Sequence, residues 1–190
     1  MIQFFNTFYQ KYKFQQHHKH IPLPYFSAFT NWRFDVLVTY ADSSNIQKLA
    51  SLFDQYRIFY GQTTDIAGAI DFLNSRLKNN DSVIIVAHES SELTGFTQLY
   101  PSFSSVGMEQ IWVLNDLFVN PTFRRQNVAK KLIEAARKHA EKTGALRIDL
   151  ATQVSNTFAQ NLYESMGYTK NEDFYHYSRL IKIDNSSHVD

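Results

Sequence analysis

The sequence predicts an α/β fold of the α+β kind, with a mixed, mostly antiparallel central sheet flanked by helices. Three observations carry this. Apolar residues recur at strand spacing and at helix spacing in separate, alternating stretches. Three strand-like stretches between residues 83 and 119 follow one another across short connections, the mark of an antiparallel meander. After them a strand, a long amphipathic helix and another strand run in succession, as in a strand-helix-strand unit.

Taken in order, residues 36–40 read as a strand. Ser43 or Ser44 can cap a helix reaching about Tyr60, with Ile46, Leu49, Ala50, Phe53 and Tyr56 or Arg57 at helical spacing. Asp65 can cap a second helix through Ile66, Ala69, Ile70, Leu73 and Leu77, and Asn79, Asn80 and Asp81 form a turn. Strands are expected over 83–88, 93–102 and 110–119, a long helix over 124–143 stopped by Gly144, and a strand over 147–152. A helix over 155–166 ends at Gly167. Tyr168 and residues 175–183 supply final strands. The chain thus divides into an aromatic and basic N-terminal extension over 1–31, one α/β domain over 32–183 and a polar tail over 184–190. Phe4, Phe5, Phe8 and Tyr12 share a face of a helix over 4–14 in the extension. His17, His18 and His20 read as a solvated basic segment rather than a metal site, since adjacent histidines point apart and no carboxylate is near.

With 44% hydrophobic and 19% charged residues, and 16 Phe and 11 Tyr, the 190 residues suffice for a packed, largely aromatic core. The chain has no Cys, which removes disulfides, thiolate metal sites and an acyl-cysteine route, and fits a reducing compartment. A net charge of +1 provides no overall field for nucleic acid or an anionic membrane. Residues 1–9 lack a basic start and a continuous apolar run, and no run approaches the ~20 residues that span a bilayer. A cytoplasmic protein that binds neither nucleic acid nor membrane is expected.

The chemistry concentrates between residues 113 and 132, where a strand leads through a basic loop into a helix. A helix start exposes unpaired N–H groups and the positive end of the dipole. Arg124, Arg125 and Lys130 beside it make a site for a diphosphate; the other reading is a basic helix start with solvated arginines. The glycines of a P-loop or a dinucleotide fingerprint are missing.

This segment resembles the acetyl-CoA motif of the GNAT family of N-acetyltransferases, Gln/Arg-x-x-Gly-x-Gly/Ala directly after a strand. Here it is Arg124, Arg125, Gln126, Asn127, Val128 and Ala129, with Asn127 where the family has glycine. A second stretch, from Asn156 through Ala159, Leu162 and Tyr163 to Gly167 and Tyr168, resembles the family's Asn-x-x-Ala-x-x-Leu-Tyr-x-x-x-Gly-Phe/Tyr segment. Read as an ordinary amphipathic helix, the same stretch turns Phe158, Leu162 and Met166 to the core. The resemblance covers roughly residues 34–183 and is nearest the histone- and polyamine-acetylating branch.

The resemblance implies splayed strands forming the cleft for acetyl-CoA, with no metal. It implies that the backbone of Leu117 and Val119, with Phe118 between them, pairs with the pantetheine arm. Backbone N–H groups from Arg125 through Gln126, Asn127, Val128 and Ala129 to Lys130 would hold the diphosphate beside Arg124, and Asn156 would contact the cofactor. Tyr163 matches the family's general acid; the alternative is core packing. A phenol, protonated near neutrality, can donate to the departing sulfur. For the base, Asp116 is favoured over Glu109, and a second acid found in polyamine-acetylating members is Asn115 here. Asp54, Tyr56, Phe59 and Tyr60 form an aromatic and acidic cluster, in which Tyr56 and Tyr60 are candidate acceptor contacts. The implied reaction is acetyl transfer from acetyl-CoA to a small polyamine-like amine or the lysine side chain of a protein, by direct attack in a ternary complex. The alternatives are a CoA-binding regulatory module and an interaction domain docking through its aromatic N-terminus. Many family members are dimers, so a homodimer is an expectation.

Overall fold

A computed structural model of the chain describes residues 36–181. The readings made over 1–31 and 184–190, including His17, His18 and His20, lie outside the described residues. The chain forms a five-stranded sheet in the order β1-β2-β3-β4-β5. Its strands are β1 (Leu37–Tyr40), β2 (Val83–Glu89), β3 (Glu92–Ser104), β4 (Glu109–Val119) and β5 (Ile148–Leu150). The first three pairings are antiparallel and β4 pairs with β5 in parallel, so the predicted mixed, mostly antiparallel sheet is what forms. Four helices cover it: α1 (Ile46–Phe59), α2 (Ile66–Asn79), α3 (Val128–Lys142) and α4 (Thr157–Ser165).

Each face of the sheet carries a core. Leu49 and Phe53 of α1 and Leu73 of α2 pack on Phe96 and Phe118. Leu132 and Ala136 of α3 pack with Leu99, Trp112 and Leu114 on the other side. Each buried Leu or Phe contributes about 1.5–3 kcal/mol of transfer free energy, so the two layers fix the sheet against its helices. Gly95 is required where β3 passes under α3: a Cβ there would lie 2.8 Å from the Phe118 carbonyl oxygen.

Local differences from the sequence reading have identifiable causes. Neither serine caps the first helix. Asp42 does, accepting from the Ser44 N–H at 2.8 Å and starting a 3₁₀ turn over Ser43–Asn45 that leads into α1. Asp65 caps α2 as expected, accepting from the Gly68 N–H at 2.8 Å. The long helix starts at Val128 rather than Arg124. Pro121–Phe123 forms its own 3₁₀ turn, and Arg125 and Asn127 take φ of 62° and 64°, which a right-handed helix cannot include. No strand forms over 168–181. Tyr175, Tyr177, Leu180 and Ile181 stay exposed, and without burial nothing offsets the entropy of ordering that stretch.

The irregularity in β4 positions the site. Gln98 pairs with Asp116 but Leu99 pairs with Leu114, leaving Asn115 as a bulged residue. Trp112 and Leu114 belong to the α3 layer, and so does Leu117 beyond the bulge, whereas Asp116 and Phe118 turn to the α1 side. The pairing of β4 with β5 ends at Leu114 and Leu150, at the bulge. From there the two strands diverge.

Candidate active site

The divergence opens a cleft of about 650 Å³. Its floor is Leu117, Phe118 and Val119 of β4. One end is the 123–130 segment at the start of α3, and the other is walled by the C-terminal end of α1 and by α4. Of the residues singled out in the sequence, Tyr56, Tyr60, Leu117, Phe118, Val119, Arg124, Arg125, Asn127, Val128, Ala129, Lys130, Asn156 and Tyr163 all line this one cleft. Gln126 and Asp116 do not. The Gln126 amide turns back to donate to the Thr122 carbonyl at 3.3 Å, which braces the loop from outside.

At the α3 end, Asn127 occupies the N-cap in a left-handed conformation with no side-chain capping bond, and no acidic residue stands in the first turn. The helix start therefore keeps its positive end unneutralised by the chain, with exposed Arg125 and Lys130 beside it. Arg124 is fixed by a bond from Nε to the Val119 carbonyl at 3.2 Å, its guanidinium 5.9 Å from the centre of the Phe118 ring. Asn156, on the cleft wall, caps α4 by accepting from the Ala159 N–H at 3.2 Å, a bond that uses its amide oxygen and not its amide nitrogen. This end can hold a polyanion such as a diphosphate.

The opposite end is aromatic. Tyr163, 9% exposed, presents itself to the cleft with its ring 5.8 Å from that of Tyr168. Burial, with Tyr60 and Tyr168 nearby, pushes its phenol up to about 12, so it stays protonated through the ordinary pH range. Asp116 is 5% exposed and sits behind the wall. Burial raises its carboxyl above the usual carboxylate range, while the Tyr56 hydroxyl and the Asn115 amide, donating at 3.1 Å, counter part of that shift. Tyr56 both lines the cleft and faces Asp116. Burial first, then the Asp116 carboxylate, raise its phenol far above the usual value. Its ring is held edge-on to Tyr60 at 5.0 Å, Phe96 at 5.8 Å and Phe118 at 6.1 Å.

Asp54 does not join the cluster at the cleft. Its carboxylate accepts from Thr64 Oγ1 at 2.6 Å, the Asp65 N–H at 2.8 Å and Arg57 at 3.2 Å, which latches the 61–65 loop to α1. The Thr64 bond is the chief cause that lowers its pKa.

The sequence reading put Phe158, Leu162 and Met166 toward the core. Instead Phe158 is 81% exposed and lines the cleft with half-buried Leu162, and Tyr163 is the buried residue of α4. Leu114, Phe123, Ala151 and Thr152 also line the cleft without having been singled out. The apolar spacing of α4 carries two readable stripes, and only the position of the cleft decides between them. Among the described residues, no group of three or more His, Asp or Glu side chains could hold a metal ion, and no helix is long and apolar enough to cross a membrane.

Comparison with known proteins agrees with this architecture. The chain matches the acetyltransferase (GNAT) family over residues 48–168. It is 47% identical over 137 residues to the uncharacterized N-acetyltransferase YhfO of Bacillus subtilis (strain 168), covering 72% of this chain and 92% of that protein. It is 30% identical over 132 residues to a probable acetyltransferase of Haemophilus influenzae, covering 69% and 88%. A crystal structure of a probable acetyltransferase superposes with a TM-score of 0.73 at 39% identity, covering 78% of this chain and 99% of that one. With the family's model matched over residues 48–168 and a relative 47% identical over most of both chains, the chain belongs to the GNAT family of N-acetyltransferases, whose acyl donor is acetyl-CoA.

Proposed function

We propose that the chain transfers an acetyl group from acetyl-CoA to a primary amine by direct attack in a ternary complex, with Tyr163 as general acid and Asp116 as general base acting through Tyr56. One observation carries this reading. The cleft joins a basic, uncapped helix start at one end to a buried tyrosine and a tyrosine-carboxylate pair at the other. The residues fit the donor: Arg124, Arg125, Lys130 and the first N–H groups of α3 suit its diphosphate, and the edge of β4 that β5 no longer pairs, at Leu117 and Val119, suits its amide-bearing arm.

Bound acetyl-CoA supplies the thioester, whose carbonyl carbon gains the amine nitrogen as its bond to sulfur breaks. The amine must lose a proton to react. Asp116 does not reach the cleft itself, so Tyr56 accepts the proton from nitrogen as it passes its own to the carboxylate. Tyr163 gives its proton to the departing sulfur and is restored from solvent. Asn127 in place of glycine and Asn115 in place of an acid are the sequence features that favour a non-catalytic module. The Asn127 φ of 64° lies where Asn is tolerated, so the loop keeps the turn that glycine would make. The test is release of free CoA from acetyl-CoA by the purified chain across an amine panel. Turnover lost with Tyr163→Phe is expected. Acetyl-CoA binding with no turnover on any amine would favour the module instead.

A further inference from the structure

The end of the cleft that would receive the acceptor is walled by rings. Tyr56, Phe59 and Tyr60 interlock edge-to-face, with centroids 5.0 Å apart for Tyr56–Tyr60 and 5.1 Å for Phe59–Tyr60. Phe158 lines the same cleft from the first turn of α4. Three of the four rings are open to solvent: Phe59 is 56% exposed, Tyr60 44% and Phe158 81%. Exposed rings gathered around one concavity mark a surface that gains by being covered.

Charge points the same way. No Asp, Glu or His among the described residues lines the cleft, whose only charged lining groups are Arg124, Arg125 and Lys130 at the donor end. Among the described residues, the carboxylates that meet α1, Asp54 and Asp116, are committed elsewhere. Asp54 has both oxygens bonded to the 57–65 segment, and Asp116 lies behind Tyr56. The site therefore has one sink for one proton. On an acceptor that covers these rings, a second or third ammonium would lose water with only ring faces, and no carboxylate, to pair it, and that costs free energy.

Building on the transferase reading above, we propose that the acceptor is a small monoamine, one primary amino group on an aromatic body, and that polycations are poor substrates. The amine points to Tyr56 and Asp116 while its ring packs against Phe59 and Tyr60. This departs from the polyamine-like or lysine acceptor suggested by the sequence.

The full-length chain with acetyl-CoA is assayed for CoA release on 2-phenylethylamine, spermidine and a lysine-containing peptide, in wild type and in Phe59→Glu. Phe59 is exposed enough for the substitution to leave the fold intact. The expected kcat/KM for 2-phenylethylamine exceeds that for spermidine by ~100-fold. Phe59→Glu, by adding the missing carboxylate, narrows that ratio to ~10-fold. Spermidine or the peptide turning over as fast as 2-phenylethylamine, or a ratio unmoved by Phe59→Glu, overturns the acceptor assignment and leaves the transferase reading standing. Acetyl-CoA binding with no turnover on these three overturns the acceptor assignment, and with no turnover on any amine of the wider panel overturns both.

Discussion

Replacing Asp116 by Asn separates a chemical role from a structural one, because the structure sets opposite expectations for activity and stability. The carboxylate is 5% exposed and has two side-chain neighbours that support it, the Tyr56 hydroxyl and the Asn115 amide at 3.1 Å. Asn has the same shape and keeps one oxygen to accept a bond, but it cannot take a proton. Loss of a general base lowers kcat/KM by about 10²–10⁴. Stability moves otherwise. Burial raises the Asp116 pKa above its ordinary 3.8, so the folded chain holds the proton more tightly than the unfolded one. A raised folded pKa gives stability that is complete below the unfolded value and lost as pH rises through the folded value. At neutral pH the wild type carries this penalty and Asp116→Asn does not, so the variant should be at least as stable at pH 8 and lose its relative advantage near pH 4. Steady-state CoA release and urea unfolding at both pH values read the two quantities. Activity within ~5-fold of wild type would refute Asp116 as base. A loss of stability at pH 8 alongside lost activity would make it a packing residue.

The remaining expectations follow from the same geometry. Tyr163→Phe should reduce kcat by roughly 10²-fold or more while leaving acetyl-CoA affinity unchanged by calorimetry. Because the Tyr163 phenol is pushed up to about 12, the wild-type kcat/KM profile should show no alkaline fall below about pH 10.5, and an earlier fall would exclude it as the acid. Asn127→Ala should cost about 1 kcal/mol in denaturant unfolding and weaken acetyl-CoA binding, whereas Asn127→Gly should be neutral or stabilising, since φ of 64° suits glycine best. Asp54→Ala should free the 61–65 loop, lower the melting temperature and raise KM for the amine more than for acetyl-CoA. The Asp54 pKa is lowered in the fold, so its stabilisation is present above 3.8 and disappears as pH falls through the folded value; the melting-temperature gap to wild type should close toward pH 2.

Much of this was legible in the chain because local signals and tertiary burial agree. The helix through Leu49 and Phe53, the Asp65 cap and the meander from Val83 to Val119 all follow from spacing, and the two cofactor-type motifs met at one cleft. What spacing does not show is which partner an apolar face meets. Phe158 and Leu162 read as core residues, yet α4 lies over a gap rather than over the sheet, so that stripe lines the cleft. Nor does spacing fix the direction of a polar side chain. Asp54 and Asp116 stand close to the same rings in sequence or in space, yet Thr64 and the Asp65 N–H draw one carboxylate into a loop latch while Tyr56 meets the other. The residues after Gly167 have the apolar content of strands but find no strand partner over 168–181.

The bulge at Asn115 ties these features together. Without the extra residue, strict alternation would put residue 116 on the same face as Trp112 and Leu114, under α3, where Leu132 and Ala136 pack. A carboxylate there would be buried against aliphatic side chains with no donor to support its charge, at a cost that disfavours ionisation altogether. The one-residue slip turns Asp116 to the α1 face, where Tyr56 meets it, and returns Leu117 to the α3 layer. The same position is where β4 loses β5, since the parallel pairing stops at Leu114. A local change in the pleat thus does two things at once: it frees the backbone edge along the cleft floor and aims a carboxylate at the ring that reaches the cleft. Asn115 itself, exposed and donating to Asp116, sits at the one place where a shorter or apolar residue would leave that carboxylate with Tyr56 as its sole side-chain donor. The asparagine that reads as a missing acid in the sequence is, in the fold, one of the two donors that counter the rise burial imposes on the remaining acid.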